Sequence, residues 1–584
     1  MQVFSEGPVD MDVDYASDKN SHREVTTMPM FITQLRRCAL IALMPIGAQI
    51  SCHRTDAPVS TSLGHSQGAS NGGTERSSSN GYVPRSFPTS WGTYVARTPI
   101  TRDQQVAAIS QDIQSLSQRD RSFVRYLTLT HLYNLGVPDD ELEASRMGVG
   151  KAINSLSTAR TIAIPKPIDS ERTIFRIDLR EYRWSRQSWD VVARQSEFDI
   201  IGTDNDARQL QNATGTRHPT MRADTFAATA FEPDVYHFLL DIPRNIRTLE
   251  SRLGINRFRN LLNHRAFRVG FTGSGVSQTN RILERHETQF GYYWRSIDFA
   301  PGDSRRDRNI FAFPLDNGLR GQPGFREAGG EIIFSLPNGL QAYVLVNGNG
   351  ERINEPPTNV VGDPARPDMA VQNGVSCHRC HNGGMIGGTS VKDEVVPHVD
   401  ANPIGFRSDE RDLIKAIYTD EKTLRDAYAR DAQRFKDAIT PLGLSPDTPD
   451  PIAVLVQRFE AQHVGIDLDT VAAELGISPD TLKQGISRSP RLARDLGTIA
   501  SGGRIQREVL RNIFPVAVRI LGLGFSSGGF TGGFGRNRSV SYSDDTELPG
   551  DPESRDSSAT TDEDGSSWRG WDSPAREEPS GENN

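Results

Sequence analysis

Two stretches of this chain cannot bury a core, and they confine folding to what lies between them. Residues 53–81 read HRTDAPVSTSLGHSQGASNGGTERSSSNG. So few large apolar side chains cannot offset the entropy of ordering a backbone, so a flexible tether is expected. Residues 524–584 are Gly/Ser-rich and then acidic, as in SYSDDTELPGDPESRDSSATTDEDG at 541–565. This composition predicts a disordered acidic tail, assigned to 521–584, in which Trp568 and Trp571 read as solvated residues. Ordered sequence is therefore expected from about residue 95 to about residue 520. That length suffices for several domains with real cores.

The stretch before the tether carries its own signal. In LRRCALIALMPIGAQISC, residues 35–52, Arg36 and Arg37 precede an apolar run that is short for a membrane span, and small and polar residues follow up to Cys52. This is the order of an export signal, assigned to residues 28–51. A buried core helix is the alternative reading. Residues 1–27 carry Glu6, Asp10, Asp12, Asp14, Asp18 and Glu24, which suit no such signal, whereas a start at Met28 or Met30 gives an n-region without acids. Ile50-Ser51-Cys52 resembles the end of a bacterial lipoprotein signal, making Cys52 the candidate lipidation site and the membrane contact, although Gln49 departs from the usual apolar residue. The tether is then 52–94, and the expected location is the periplasm or outer cell envelope.

Between the ends, an α+β fold is expected. Apolar residues recur at helical spacing from 101 to 157, with VRYLTLTHLYNLG (124–136) read as a helix closed by Gly136 and another starting after Pro138. His131 lies on an apolar face and reads as a satisfied core histidine. From 160 to 358 the pattern turns toward strands: TIFRIDLREYRW (173–184) alternates, and EIIFSLPNGLQAYVLV (331–346) reads as a hairpin around Pro337-Asn338-Gly339. FTGSGVSQTNRILERHE (271–287) reads as a glycine-rich turn into a helix. Its glycines lack the Lys-Ser/Thr ending of a phosphate loop, and Phe290 stands where a second zinc histidine would follow His286-Glu287.

After a loop-rich segment, 359–405, residues 408–439 read as strongly helical, and helices continue to 520. LDTVAAELGISPDTLKQGI (468–486), with Gly476 at its turn, looks like a helix-turn-helix. With a net charge of −8 and pI near 5.9, nucleic acid is not an expected partner, and an ordinary helical hairpin is the better reading.

The loop-rich segment holds the chemistry: Cys377-His378-Arg379-Cys380-His381. With four cysteines and twelve histidines in 584 residues, chance supplies Cys-x-x-Cys-His in roughly one such chain in two thousand. Covalent haem c needs two thiols spaced to reach two vinyl groups and a histidine immediately after them. Cys377 and Cys380 would carry the thioethers and His381 would be the proximal iron ligand. Zinc is the rival, with Cys377, Cys380, His381 and a fourth donor such as His398. A redox dithiol is a weaker reading, because no βαβ pattern surrounds the pair. The export signal favours haem, which is attached outside the bacterial inner membrane.

VQNGVSCHRCHNGG (371–384) resembles a c-type cytochrome domain. Together with TIFRIDLREYRW, GFTGSGVSQTNR and GGEIIFSLPNGLQAYVLV, it makes residues 100–515 similar to large exported bacterial proteins holding one such domain. The resemblance implies a monohaem c-type cytochrome, with electron transfer to a redox partner protein as its activity. The alternatives are a haem enzyme or sensor with an open iron site, and a zinc-stabilised interaction protein. Small class I cytochromes take their second axial ligand from a methionine several tens of residues after the motif, whereas the last methionine here is Met385. His398 in VVPHV is the expected distal ligand, with Met369 or an open site as alternatives. His378, between the thiols, should point away from the iron.

Overall fold

A computed structural model describes residues 94–272, 280–299, 310–315, 325–356, 363, 370–385, 392–460 and 465–526. All belong to a compact unit of residues 77–584, distinct from a unit of residues 1–76. Met28, Met30, Cys52, the export signal, nearly all of the tether, Met369 and residues 527–584 lie outside the described residues.

The fold is α+β and contains two substantial sheets. The smaller has order β2-β3-β1-β5, from Lys166–Pro167 (β2), Ile174–Asp178 (β3), Val124–Thr128 (β1) and Thr220–Arg222 (β5). β1 runs antiparallel to β3 and parallel to β5. Its side chains alternate as a strand requires. Val124 and Tyr126 pack with Ile109 and Ile113 of helix Arg102–Gln114, whereas Leu127 enters the main core. That helix starts in a capping box between Thr101 and Gln104.

The larger sheet is an antiparallel meander, β11-β10-β9-β8-β7-β6. Its strands are Ala266–Thr272 (β6), Asn280–Thr288 (β7), Gly291–Asp298 (β8), Gly329–Ser335 (β9), Gln341–Asn347 (β10) and Arg352–Ile353 (β11). The expected hairpin is β9–β10, closed by Gly339 at φ +90°. Four short helices from Ala223 to Leu262 separate the two sheets in sequence, and two more, Arg186–Gln195 and Asn205–Thr214, lie between strands of the smaller one, so the region read as turning toward strands carries about as much helix as strand among the described residues. The main core takes residues from Leu127 to Val456, running across the boundaries drawn at 358 and 405. Among the described residues no helix is long and apolar enough to cross a membrane.

Three local expectations are corrected. Residues 124–136 are not one helix: β1 is followed by the short helix Thr130–Asn134, and the next helix, Asp139–Ser155, begins just past Pro138 as expected. Asn280–Thr288 is a strand, not a helix, so His286 and Glu287 face opposite sides of the sheet and cannot join in a helical metal motif. His286 is instead a core group, with Nε2 2.7 Å from Glu284 and Nδ1 3.2 Å from Asn260. Finally, order extends past 520: Phe525–Ser526 (β12) pairs with Ile200–Ile201 (β4).

The C-terminal helices form as read, although 408–439 is two helices, Ser408–Ile417 and Glu421–Ile439, the second capped by Asp420. Helices Leu468–Leu475 and Pro479–Arg488 turn at Gly476 (φ +68°) and pack into a separate core with Leu492, Leu496 and Phe514.

Candidate functional site

The site is built on one row of the large sheet. The register places Phe267, Arg285, Trp294, Ile333 and Tyr343 side by side on adjacent strands, all on one face. Asp431 of helix Glu421–Ile439 clamps that helix to the row. Its carboxylate accepts from Arg285 Nε and Nη2 (both 2.9 Å) and from the Trp294 indole (2.7 Å). One turn earlier, Tyr428 stacks on Trp294 with ring centroids 4.7 Å apart. Cys377 packs into this aromatic cluster with Val269, Tyr292 and Tyr343, and Met385 lies against it.

The cysteines stand on the short helix Val375–Cys380, which Gly374 opens at φ +100°. A β-carbon at Gly374 would sit 2.9 Å from the Phe231 carbonyl oxygen, so the chain enters the helix where only glycine fits. Buried polar groups fix the entry. Asn373 Nδ2 donates to His237 Nε2 (2.6 Å), while the Ser376 hydroxyl donates to Asp363 (2.7 Å), which also pairs with Arg379. Cys377 is 3% exposed and Cys380 is partly exposed, and both are free thiols. Burial raises both thiol pKa values, Cys377 well above the usual range, so neither is the stabilised thiolate that a redox dithiol needs.

His381 closes the helix. Its amide donates to the Cys377 carbonyl (2.8 Å), and the Gly384 amide donates to the His381 carbonyl (3.0 Å). The His381 ring lies beside Tyr343, centroids 5.7 Å apart, with Nδ1 3.2 Å from the Gly384 carbonyl oxygen. A carbonyl can only accept, so this contact places the proton on Nδ1 and leaves a lone pair on Nε2, whose nearest carboxylate is Glu331 at 3.9 Å. A backbone carbonyl fixing the tautomer in this way is the outer-shell arrangement of metal-binding histidines. The donor set therefore suits a haem held by Cys377 and Cys380 and ligated by His381.

Gly384 is essential to that turn. It has φ +92°, and an added β-carbon would approach Phe435 Cβ to 3.0 Å. Gly384→Ala is expected to destabilise the protein by about 1–3 kcal/mol, from backbone strain and crowding together. Urea unfolding checks this; a loss within 0.5 kcal/mol, about the scale of ordinary surface substitutions, would mean that the turn relaxes freely.

His378, expected to point away from the iron, is a core side chain. It is buried edge-on to Tyr343 (4.9 Å) and Phe231 (5.0 Å), and burial pushes its pKa down to about 3, so it is a neutral core group.

The expectation for His398 is corrected. It lies on helix Val395–Ala401, with its ring 5.1 Å from Phe311, and Val395 of the same helix covers Gly270. Gly270 and Val269 are neighbours on β6 and face opposite sides of the sheet, and Cys377 is on the Val269 side. The sheet therefore separates His398 from the thiols, and the same separation removes it as a fourth zinc ligand. Among the described residues no three His, Cys, Asp or Glu side chains converge as a metal site.

Tyr343, Trp294, Asp431, Glu331 and Gly384 were not identified from sequence. The period-2 pattern of QAYVLV does place Tyr343 on one sheet face, but only the register shows what it meets. Compared with family models, curated proteins and solved structures, the chain has no match.

Proposed function

We propose that this chain is an exported monohaem c-type cytochrome, tethered near a membrane through its N-terminal segment, with electron transfer to a redox partner protein as its activity. The observation that carries the reading is Cys377 and Cys380 on a single helical turn, followed by a His381 whose Nδ1 is committed to the Gly384 carbonyl. When bound, the haem would supply the one-electron chemistry. The chain's own groups present the thiols, hold the imidazole tautomer and wall one side with Tyr343 and Met385. Because Cys377 is only 3% exposed, thioether formation has to precede the packing of helix Glu421–Ile439 over it.

The test is the visible spectrum of protein expressed with a cytochrome c maturation system, oxidised and reduced, after denaturing extraction. A sharp α-band that stays with the polypeptide is expected. Polypeptide without covalent haem would sink the proposal.

The position of His398 favours a second reading, a haem sensor or enzyme with an open sixth site. It predicts a carbon monoxide shift in the native reduced protein, whereas a strong protein ligand would block that shift.

A further inference from the structure

Away from the motif, a cavity of about 170 Å³ lies between β1, β5 and helices Arg102–Gln114, Asn205–Thr214 and Leu468–Leu475. An apolar cavity of about 150 Å³ is large enough to take a benzene ring, so this one holds a single substituted ring. One part is apolar, walled by Val106, Ile109, Leu210 and Phe198. The polar part is mostly satisfied within the protein. Thr130 bonds Thr173 (3.2 Å), Asn134 bonds the Ile100 backbone twice (2.8 Å each), and Asp199 accepts from the Arg222 amide (3.3 Å) and the Thr225 hydroxyl (3.4 Å).

His131 is the neutral polar side chain among the lining residues with a buried ring nitrogen that carries no protein hydrogen bond. It is 7% exposed, lines the cavity, and its Nε2 lies 3.0 Å from Asp224. Asp224 also holds Arg222 through both carboxylate oxygens (3.1 and 2.7 Å), and that pairing keeps its carboxyl well below the usual range. An ionised carboxylate only accepts, so Nε2 carries the proton, and burial holds the imidazole neutral. Nδ1 is then a buried acceptor with no hydrogen-bond partner. A buried polar atom of this kind costs stability unless something donates to it. Three arginines, Arg102, Arg217 and Arg222, stand against two carboxylates, Asp199 and Glu474, among the lining residues, and this excess of positive charge disfavours a cationic donor.

We propose that this cavity binds a small neutral phenol, its ring among the apolar side chains and its hydroxyl donating to His131 Nδ1. An apolar wall with one oriented acceptor is the usual design of a small-molecule site. The Asp224–His131 pair is also the arrangement that orients a general base.

The experiment titrates the full-length protein with phenol and, separately, with toluene, by calorimetry. One saturable phenol site is expected, with toluene about fivefold weaker or worse, the worth of one hydrogen bond. His131→Phe should reduce phenol to the toluene level, and Val106→Trp, which fills the apolar end, should abolish both. Equal binding of the two probes, no saturable phenol site, or unchanged binding in Val106→Trp would overturn the proposal. If His131→Phe does not fold, the wild-type ratio and Val106→Trp still decide it. None of these readouts depends on haem.

Discussion

Lys151→Met is expected to destabilise the protein by about 3–5 kcal/mol, the scale on which removing one partner of a buried ion pair acts. Lys151 Nζ pairs with the Asp450 carboxylate, and the two side chains are 2% and 0% exposed. The pair joins helix Asp139–Ser155 to helix Pro451–Glu460 near His378 of the Cys-x-x-Cys-His motif, with the Lys151 ammonium 5.4 Å from the Phe435 ring centre. Asp450 also caps the second helix, accepting from the Ile452 (2.9 Å) and Ala453 (3.0 Å) amides. Removing the ammonium strands a carboxylate that the cap still needs, with no water to solvate it. Adding Asp450→Asn to Lys151→Met keeps an N-cap acceptor without the charge and should recover most of the loss. Denaturant unfolding of wild type, the single variant and the double variant measures both effects. A single variant within 1 kcal/mol of wild type, about what an exposed pair is worth, would show that the charge is not isolated from water.

What the sequence could convey depended on whether chemistry or packing decided each position. The β9–β10 hairpin was legible because the turn needs positive φ at Gly339, a local requirement that Asn-Gly announces. β1 was not, because VRYLT is buried at every position, so no face is polar and its period is hidden. β7 misled for the opposite reason. Glu284 and Arg285 are buried charges, paired with Arg257, Arg268 and Asp431, which lie close only after folding. Such pairs put polar residues where alternation expects apolar ones. The Cys-x-x-Cys-His motif survives all this because its spacing is set by the group it would hold. Its surroundings do not, since Tyr343 and Trp294 reach it from two strands, and Asp431 holds Trp294 from a helix, all distant in sequence.

The same distinction governs the last prediction, which rests on the haem reading. His398 was attractive because a loop of suitable length follows the motif, but loop length does not say on which side of a sheet the chain lands. In haem-loaded protein, His398→Ala is expected to leave the oxidised and reduced spectra unchanged, because the β6 edge of the sheet stands between it and Cys377. His381→Ala is expected to reduce recovered covalent holoprotein by about tenfold or more, since even outer-shell changes at metal sites cost 10–100-fold in affinity or activity. Its surviving holoprotein should show a changed Soret band. Side-by-side spectra and haem-to-protein ratios provide the check. A spectral change in His398→Ala matching that of His381→Ala would place both imidazoles on one iron, and the helix Val395–Ala401 would then have to leave its present seat over Gly270. Unchanged spectra in both variants would instead detach the iron from His381, leaving the Gly384 contact as a turn-forming interaction alone.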